Sequence, residues 1–204
     1  MTFSPASFFG ALRAGKLLGP TLDQGEVDGC NAILAACSGL PLSWAAYAFA
    51  TAFHETAFTM QPIKEYGGPR YFTKMYDIAG DRPTLAKANG NVHPGDGAKF
   101  FGRGYVQLTW RSNYRRAGQR LGIDLESNPD LALKPEYAAK IMREGMTGGW
   151  FTGKSFGHCL PGAGSAAKVD FIAARKIING TDKAEKIAEY ALHFQQALQA
   201  GGWA

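Results

Sequence analysis

The run His54-Glu55-Thr56 closes an uncharged, largely apolar stretch that begins at Leu42. A carboxylate at the end of such a segment is costly to bury in its ionised form. Burial there pushes a carboxyl pKa upward, which suits a general acid working near neutral pH. The plainer reading is a helix-end glutamate that reaches water. A zinc site is excluded: His-Glu-x-x-His needs a second histidine where this chain has Phe58. The four histidines, His54, His93, His158 and His193, show no metal-ligand spacing. No metal and no cofactor are expected.

Glu65 is the next carboxylate, ten residues on, beside Tyr66 and the turn Gly67-Gly68. Fully extended, that separation reaches about 33 Å. A pair of carboxyls that cleaves a glycosidic bond with inversion needs about 6.5–9.5 Å, with a water between base and sugar. A loop that folds back delivers this; a straight continuation does not.

The run Gly102-Arg103-Gly104-Tyr105-Val106-Gln107-Leu108-Thr109 is the most informative in the chain. Its glycines allow close backbone approach or positive φ. Gln107 and Thr109 are two apart, so extended backbone would turn an amide and a hydroxyl to one side. Such a pair can bind a sugar and hold a water. Asn113 follows Thr109 by one helical turn and lies on that same side. Thr109 can also act simply as a helix N-cap.

The elements that must position these groups are mostly helical. Helices are expected over 5–13, 23–38, 42–57, 83–89, 110–121, 135–150, 166–178 and 182–199, with short strands around 100–108. The stretch 42–57 is too uniformly apolar for a surface helix. Ser165 is the expected cap of 166–178, and Asp182 with Glu185 the expected start of the last helix. Ile187, Ala191, Phe194 and Leu198 would line one face of it. Periodicity fades from Phe58 to Gly104, where Gly-, Pro- and Asn-containing turns cluster. The class is mainly α, with a loop-rich centre lining a cleft. One catalytic domain over 1–204 is expected, with a small lobe around 58–104 and no separate wall-binding domain.

Composition bounds the rest. With 46% apolar and 12% aromatic residues, the chain can bury a core and is not disordered. The most apolar stretch is too short to span a bilayer, and Met1 to Gly19 lacks the pattern of a secretory signal. Three cysteines, Cys30, Cys37 and Cys159, form an odd set without Cys-x-x-Cys, as expected of reduced thiols. The net charge is +5 and uneven, with the basic residues gathered between Lys64 and Arg120. A basic middle third suits a polyanion such as nucleic acid, an anionic surface or a bacterial wall. Nothing in the chain reads as a nucleic-acid recognition helix or stacking motif.

Together, His54-Glu55-Thr56, Glu65 and Gly102-Arg103-Gly104 through Gln107-Leu108-Thr109 to Asn113-Tyr114 resemble the signature of glycoside hydrolase family 19. Pro94-Gly95-Asp96-Gly97, Asn128-Pro129-Asp130-Leu131 and Ile178-Asn179-Gly180 extend the likeness, which covers about 40–195. That family contains plant-type chitinases and many phage endolysins. The endolysin branch is the nearer, since the disulfide-rich pattern of the plant enzymes is missing.

The resemblance implies a lysozyme-like helical fold and a set of roles. Glu55 matches the acid that protonates the leaving oxygen, and Glu65 the base that activates water. Thr109 sits where the family positions that water. Gln107, Asn113 and Asn179 match sugar-binding positions, and His54, Tyr66, Arg103 and Tyr105 complete the candidate contacts. Lys186 stands where the family's last helix has an arginine, keeping the charge without the fork. The implied activity is inverting hydrolysis of β-1,4 bonds in peptidoglycan, causing lysis of a host bacterium. Peptidoglycan strands are then the partner of a monomeric protein, without nucleic acid or stable membrane insertion. The protein would wait in the host cytoplasm until a holin-type pore released it to the periplasm and wall. The rivals are a chitinase, a lytic transglycosylase using Glu55 alone, and a non-catalytic basic binder.

Overall fold

The computed structural model describes residues 3–19 and 21–203; Met1, Thr2, Pro20 and Ala204 lie outside the described residues. The chain divides into two compact units, one built from 1–61 and 142–204 and the other from 62–141. The second unit takes in most of the region where a small lobe was expected and continues beyond it to Ile141.

In chain order, the first unit opens with α1 (Pro5–Gly15), α2 (Gln24–Cys37) and α3 (Leu42–Glu55). The second holds β1 (Ile63–Lys64), α4 (Pro69–Tyr76), α5 (Pro83–Ala88), α6 (Asp96–Lys99), β2 (Arg103–Gly104) and α7 (Arg111–Leu121). A 3₁₀ turn over Pro129–Leu133 follows. Helix α8 (Pro135–Gly148) starts in the second unit and ends in the first. The first unit finishes with α9 (Phe156–Cys159), α10 (Lys168–Ala174), a 3₁₀ turn over Arg175–Ile177, and α11 (Ala184–Ala200). The expected mainly α class is what the structure shows. Among the described residues no helix is long and apolar enough to cross a membrane.

Helix α3 is the spine of the first unit. Its alanines favour helix and keep its surface shallow. Every residue from Leu42 to Phe53 except Trp44 is buried. It packs chiefly on α11, whose Ile187, Ala191, Phe194 and Leu198 are buried as their spacing predicts. Phe49 stacks on Phe194 at 5.1 Å, and Tyr47 on Phe171 at 6.1 Å. Each phenylalanine buried here contributes about 2 kcal/mol of transfer free energy. Helix α3 ends at Glu55, not 57, because Ala57 and Phe58 take left-handed backbone with φ of 51° and 73°. The three cysteines are free thiols, and burial pushes Cys37 up to about 12.

In the second unit β1 and β2 pair antiparallel, Ile63 with Gly104 and Lys64 with Arg103. Two buried acids hold the loops between them. Asp77 accepts from the backbone N–H groups of Ala79, Gly95 and Gly97. Asp96 accepts from Val92, His93 and the Arg111 guanidinium.

Three expected caps are not formed. The N-cap of α7 is Trp110, at φ 78°, and the Thr109 hydroxyl donates instead to Gln107 O at 2.9 Å. Ser165 lies too early, since α10 starts after Ala167; its hydroxyl accepts from Gln199. Asp182 caps nothing, because Lys183 leads into α11 with no side-chain bond. Helix α4 lies where the sequence predicts a turn and loop. Gly68 precedes it and Pro69 occupies its first position, where proline loses no hydrogen bond.

Candidate active site

The first unit holds Glu55, His54 and Asn179. Glu55 is the last residue of α3, and its side chain is 23% exposed. The apolar setting expected for it is replaced by an ion pair: Arg175 Nη1 donates to Glu55 Oε1 at 2.7 Å. Arg175 is itself 3% exposed, and its Nε donates to Asp182 O at 2.9 Å. A buried guanidinium fixed at two points can hold a carboxylate in one orientation. Lys186 does not take this place; its ammonium lies over the Phe58 and Tyr190 rings.

His54 precedes the acid. Burial holds its imidazole pKa below the usual 6.5, against the pull of the Glu55 charge. Its Nδ1 is buried without a hydrogen-bond partner. Asn179 is exposed at the end of the 3₁₀ turn, and its side-chain oxygen accepts from Gly180 N–H.

The second unit holds the remaining candidates. Glu65 follows β1, and its N–H donates to Gly102 O at 2.9 Å. Its Oε2 accepts from Gly102 N–H at 3.0 Å, and its Oε1 from the Tyr76 hydroxyl at 2.6 Å. Gly102 must be small: a Cβ there would lie 2.7 Å from Gln107 Oε1 and 3.1 Å from Glu65 Oε2. The close approach that the glycines of this run permit is therefore used. The backbone is not extended as expected, since Gln107 has φ 51°. Gln107 Nε2 donates to Ile63 O and Gly104 O, while its Oε1 is buried without a partner. Asn113 donates to Thr109 O at 2.9 Å. The structure thus gathers Glu65, Gly102 and Gln107, and links Thr109 and Asn113 to Gln107 through backbone oxygens.

Two expected contacts are corrected. Tyr105 is fully buried and packs in the core of the second unit, where no ligand reaches it. Arg103 is 5% exposed and spent inside the protein: it bonds Asp130 at 2.7 Å, Tyr114 at 2.9 Å, and the carbonyls of Lys99 and Phe101. It fastens the β2 segment. Tyr66, by contrast, is 84% exposed and free to meet a ligand.

Sequence reasoning missed two residues, Arg175 and Tyr76. An arginine inside the apolar run Phe171-Ile172-Ala173-Ala174-Arg175-Lys176-Ile177-Ile178 is a signal that a buried anion awaits it. Tyr76 has no comparable signal.

Residues 43–153, more than half of the chain, match the family model described as "Chitinase class I". An inactive chitinase-like protein 1 of Hevea brasiliensis is 34% identical over 99 residues, 41% of this chain and 30% of its own. An acidic 27 kDa endochitinase of Solanum lycopersicum is 31% identical over 141 residues, 64% of this chain and 54% of its own. The chain thus spans about a third to a half of the length of these curated relatives. Chitinase C of Streptomyces griseus HUT6037 superposes with a TM-score of 0.62 at 22% identity, over 97% of this chain and 76% of that one. That likeness is one of fold, and it is the lysozyme-like helical fold. With more than half of its residues matching the family model, the chain belongs to glycoside hydrolase family 19.

Proposed function

We propose that this protein hydrolyses β-1,4 glycosidic bonds of bacterial peptidoglycan with inversion. Glu55 donates a proton to the leaving oxygen, and Glu65 takes one from a water. The observation that carries this reading is the anchoring of Glu65. One oxygen is held by Tyr76 and the other by Gly102 N–H, so the carboxylate is oriented while lone pairs remain for a water. The Thr109 hydroxyl spends its hydrogen on Gln107 O and keeps lone pairs that can accept from that water. Gln107 Nε2 is spent on Ile63 O and Gly104 O, which fixes the amide in place.

Charge favours a wall polymer over a neutral glycan. The second unit, 62–141, has 13 Lys and Arg against 8 Asp and Glu, which accounts for the whole net +5. An endolysin role accords with this, with release through a holin-type pore to the wall. The names of the relatives favour a second reading, hydrolysis of chitin oligomers. One of them is named inactive, so turnover must be measured directly.

The test is product analysis on purified peptidoglycan and on chitin oligomers, comparing wild type with Glu55→Gln. New reducing ends from peptidoglycan, lost in the variant, are expected. Anhydro-muramic ends would make it a transglycosylase, and turnover of chitin alone a chitinase. Binding without turnover, unaffected by the substitution, would make it a non-catalytic binder.

A further inference from the structure

Immediately after Glu55 the backbone is strained. Ala57, Phe58 and Met60 take φ of 51°, 73° and 55°. Bulky residues pay for left-handed backbone, and such strain concentrates where function requires it. Here it sets Phe58 at the surface, 44% exposed, instead of letting α3 continue. The Phe58 ring stands on Phe53 at 4.9 Å and meets Tyr190 at 6.1 Å, with planes 83° apart. Phe53 and Tyr190 are also edge to face, at 5.0 Å. The rings form a corner that opens on a cavity of about 380 Å³, lined also by Glu26 and Lys186.

The charges of this cavity differ in availability. Glu26 accepts from Asp23 N–H and closes the first turn of α2. Lys186 makes no ion pair among the described residues; its Nζ lies 5.7 Å from the Phe58 ring and 6.0 Å from that of Tyr190. An ammonium held only by ring faces keeps most of its capacity for an anion. An apolar corner with one available cation suits a ring with C–H faces and a carboxylate substituent.

We propose that Phe58, Tyr190 and Lys186 form a glycan subsite in the first unit. The aromatic corner takes the apolar face of an N-acetylated sugar, and Lys186 binds the lactyl carboxylate of a muramyl residue. The proposal deepens the peptidoglycan reading and rests on it for the carboxylate.

The test is calorimetric titration in a Glu55→Gln background, with a muramyl-containing tetrasaccharide and with chitotetraose. Phe58→Gly removes the ring and relieves the strain. It should weaken both ligands by roughly tenfold without lowering Tm. Phe58→Tyr keeps the ring and should bind as the parent does. Lys186→Gln should weaken the muramyl ligand several-fold and leave chitotetraose unchanged. Unchanged binding in Phe58→Gly, or a loss in Phe58→Tyr, would overturn the platform. An equal effect of Lys186→Gln on both ligands would overturn the carboxylate contact. The two readings fail separately. If wild type cleaves chitin oligomers but not peptidoglycan while Phe58→Gly still loses chitotetraose, the peptidoglycan reading and the carboxylate contact fall and the platform stands. If peptidoglycan is cleaved and Phe58→Gly binds normally, the subsite alone falls.

Discussion

Arg175 Nη1 donates to Glu55 Oε1 at 2.7 Å, although the two residues lie 120 positions apart. The end of α3 and the 3₁₀ turn after α10 are tied together by this pair. Arg175 is almost fully buried, so its charge depends on Glu55 for compensation. Breaking a buried pair from one side leaves an uncompensated ion. Arg175→Met should therefore lower stability by on the order of 3 kcal/mol in urea unfolding, with activity lost beyond that expected from unfolding. Arg175→Lys should recover part of the stability and less of the activity, because the two-point hold of the fork is gone.

Tyr76 should matter to turnover more than to folding. Burial, and then the Glu65 carboxylate, push its hydroxyl well above the usual tyrosine range, so it remains a donor. Tyr76→Phe removes the bond to Glu65 Oε1 and keeps the ring, which stands edge-on to Trp110 at 5.0 Å. The expected result is a kcat about tenfold lower with KM little changed, measured on soluble glycan fragments.

Gly102→Ala offers a separate route to Glu65. The nearest neighbours of the new methyl group are side-chain atoms, Gln107 Oε1 at 2.7 Å, Glu65 Oε2 at 3.1 Å and Gln107 Cβ at 3.3 Å. The fold can yield at small cost by moving both side chains. Activity should fall by at least about tenfold while the thermal midpoint moves by only a few degrees. A midpoint loss as large as that of Arg175→Met would show that Gly102 serves packing instead.

The acid limit of stability should trace to Asp96, which is 4% exposed beside Arg111. Burial raises its carboxyl pKa, but the Arg111 hydrogen bond and charge and the His93 and Val92 N–H groups outweigh it. The net position is below the ordinary 3.8. A depressed carboxyl pKa means that the unfolded chain takes up the proton more readily. The contribution is therefore complete above the unfolded value, near pH 4, and is lost as pH falls through the folded one. Asp96→Asn should be less stable at pH 7 by on the order of 3 kcal/mol. Its midpoint should also change less than that of wild type below about pH 4.

Much of the helical frame is legible in local pattern. Uniform apolarity predicts a buried α3, and spacings of three and four residues predict the buried face of α11. Helix α4 escaped because it begins within a Gly-Gly-Pro run that reads as a turn, although Phe72, Met75 and Tyr76 recur at helical spacing. The caps at Thr109, Ser165 and Asp182 failed because a capping residue type identifies a start only to within a few positions.

What the sequence determined by itself is the family and the candidate segments: a carboxylate closing an apolar helix, a second after a turn, and the run from Gly102 to Asn113. These are properties of neighbours along the chain, where residue type and repeat are sufficient. Only the tertiary structure decided which groups meet. It gave Glu55 to Arg175 and Glu65 to Tyr76, buried Tyr105, and spent Arg103 on Asp130. The physical reason is that helix and strand repeats act over about four residues. The Glu55–Arg175 pair, in contrast, exists only because packing α3, α10 and α11 around one core brings two distant segments within hydrogen-bonding reach.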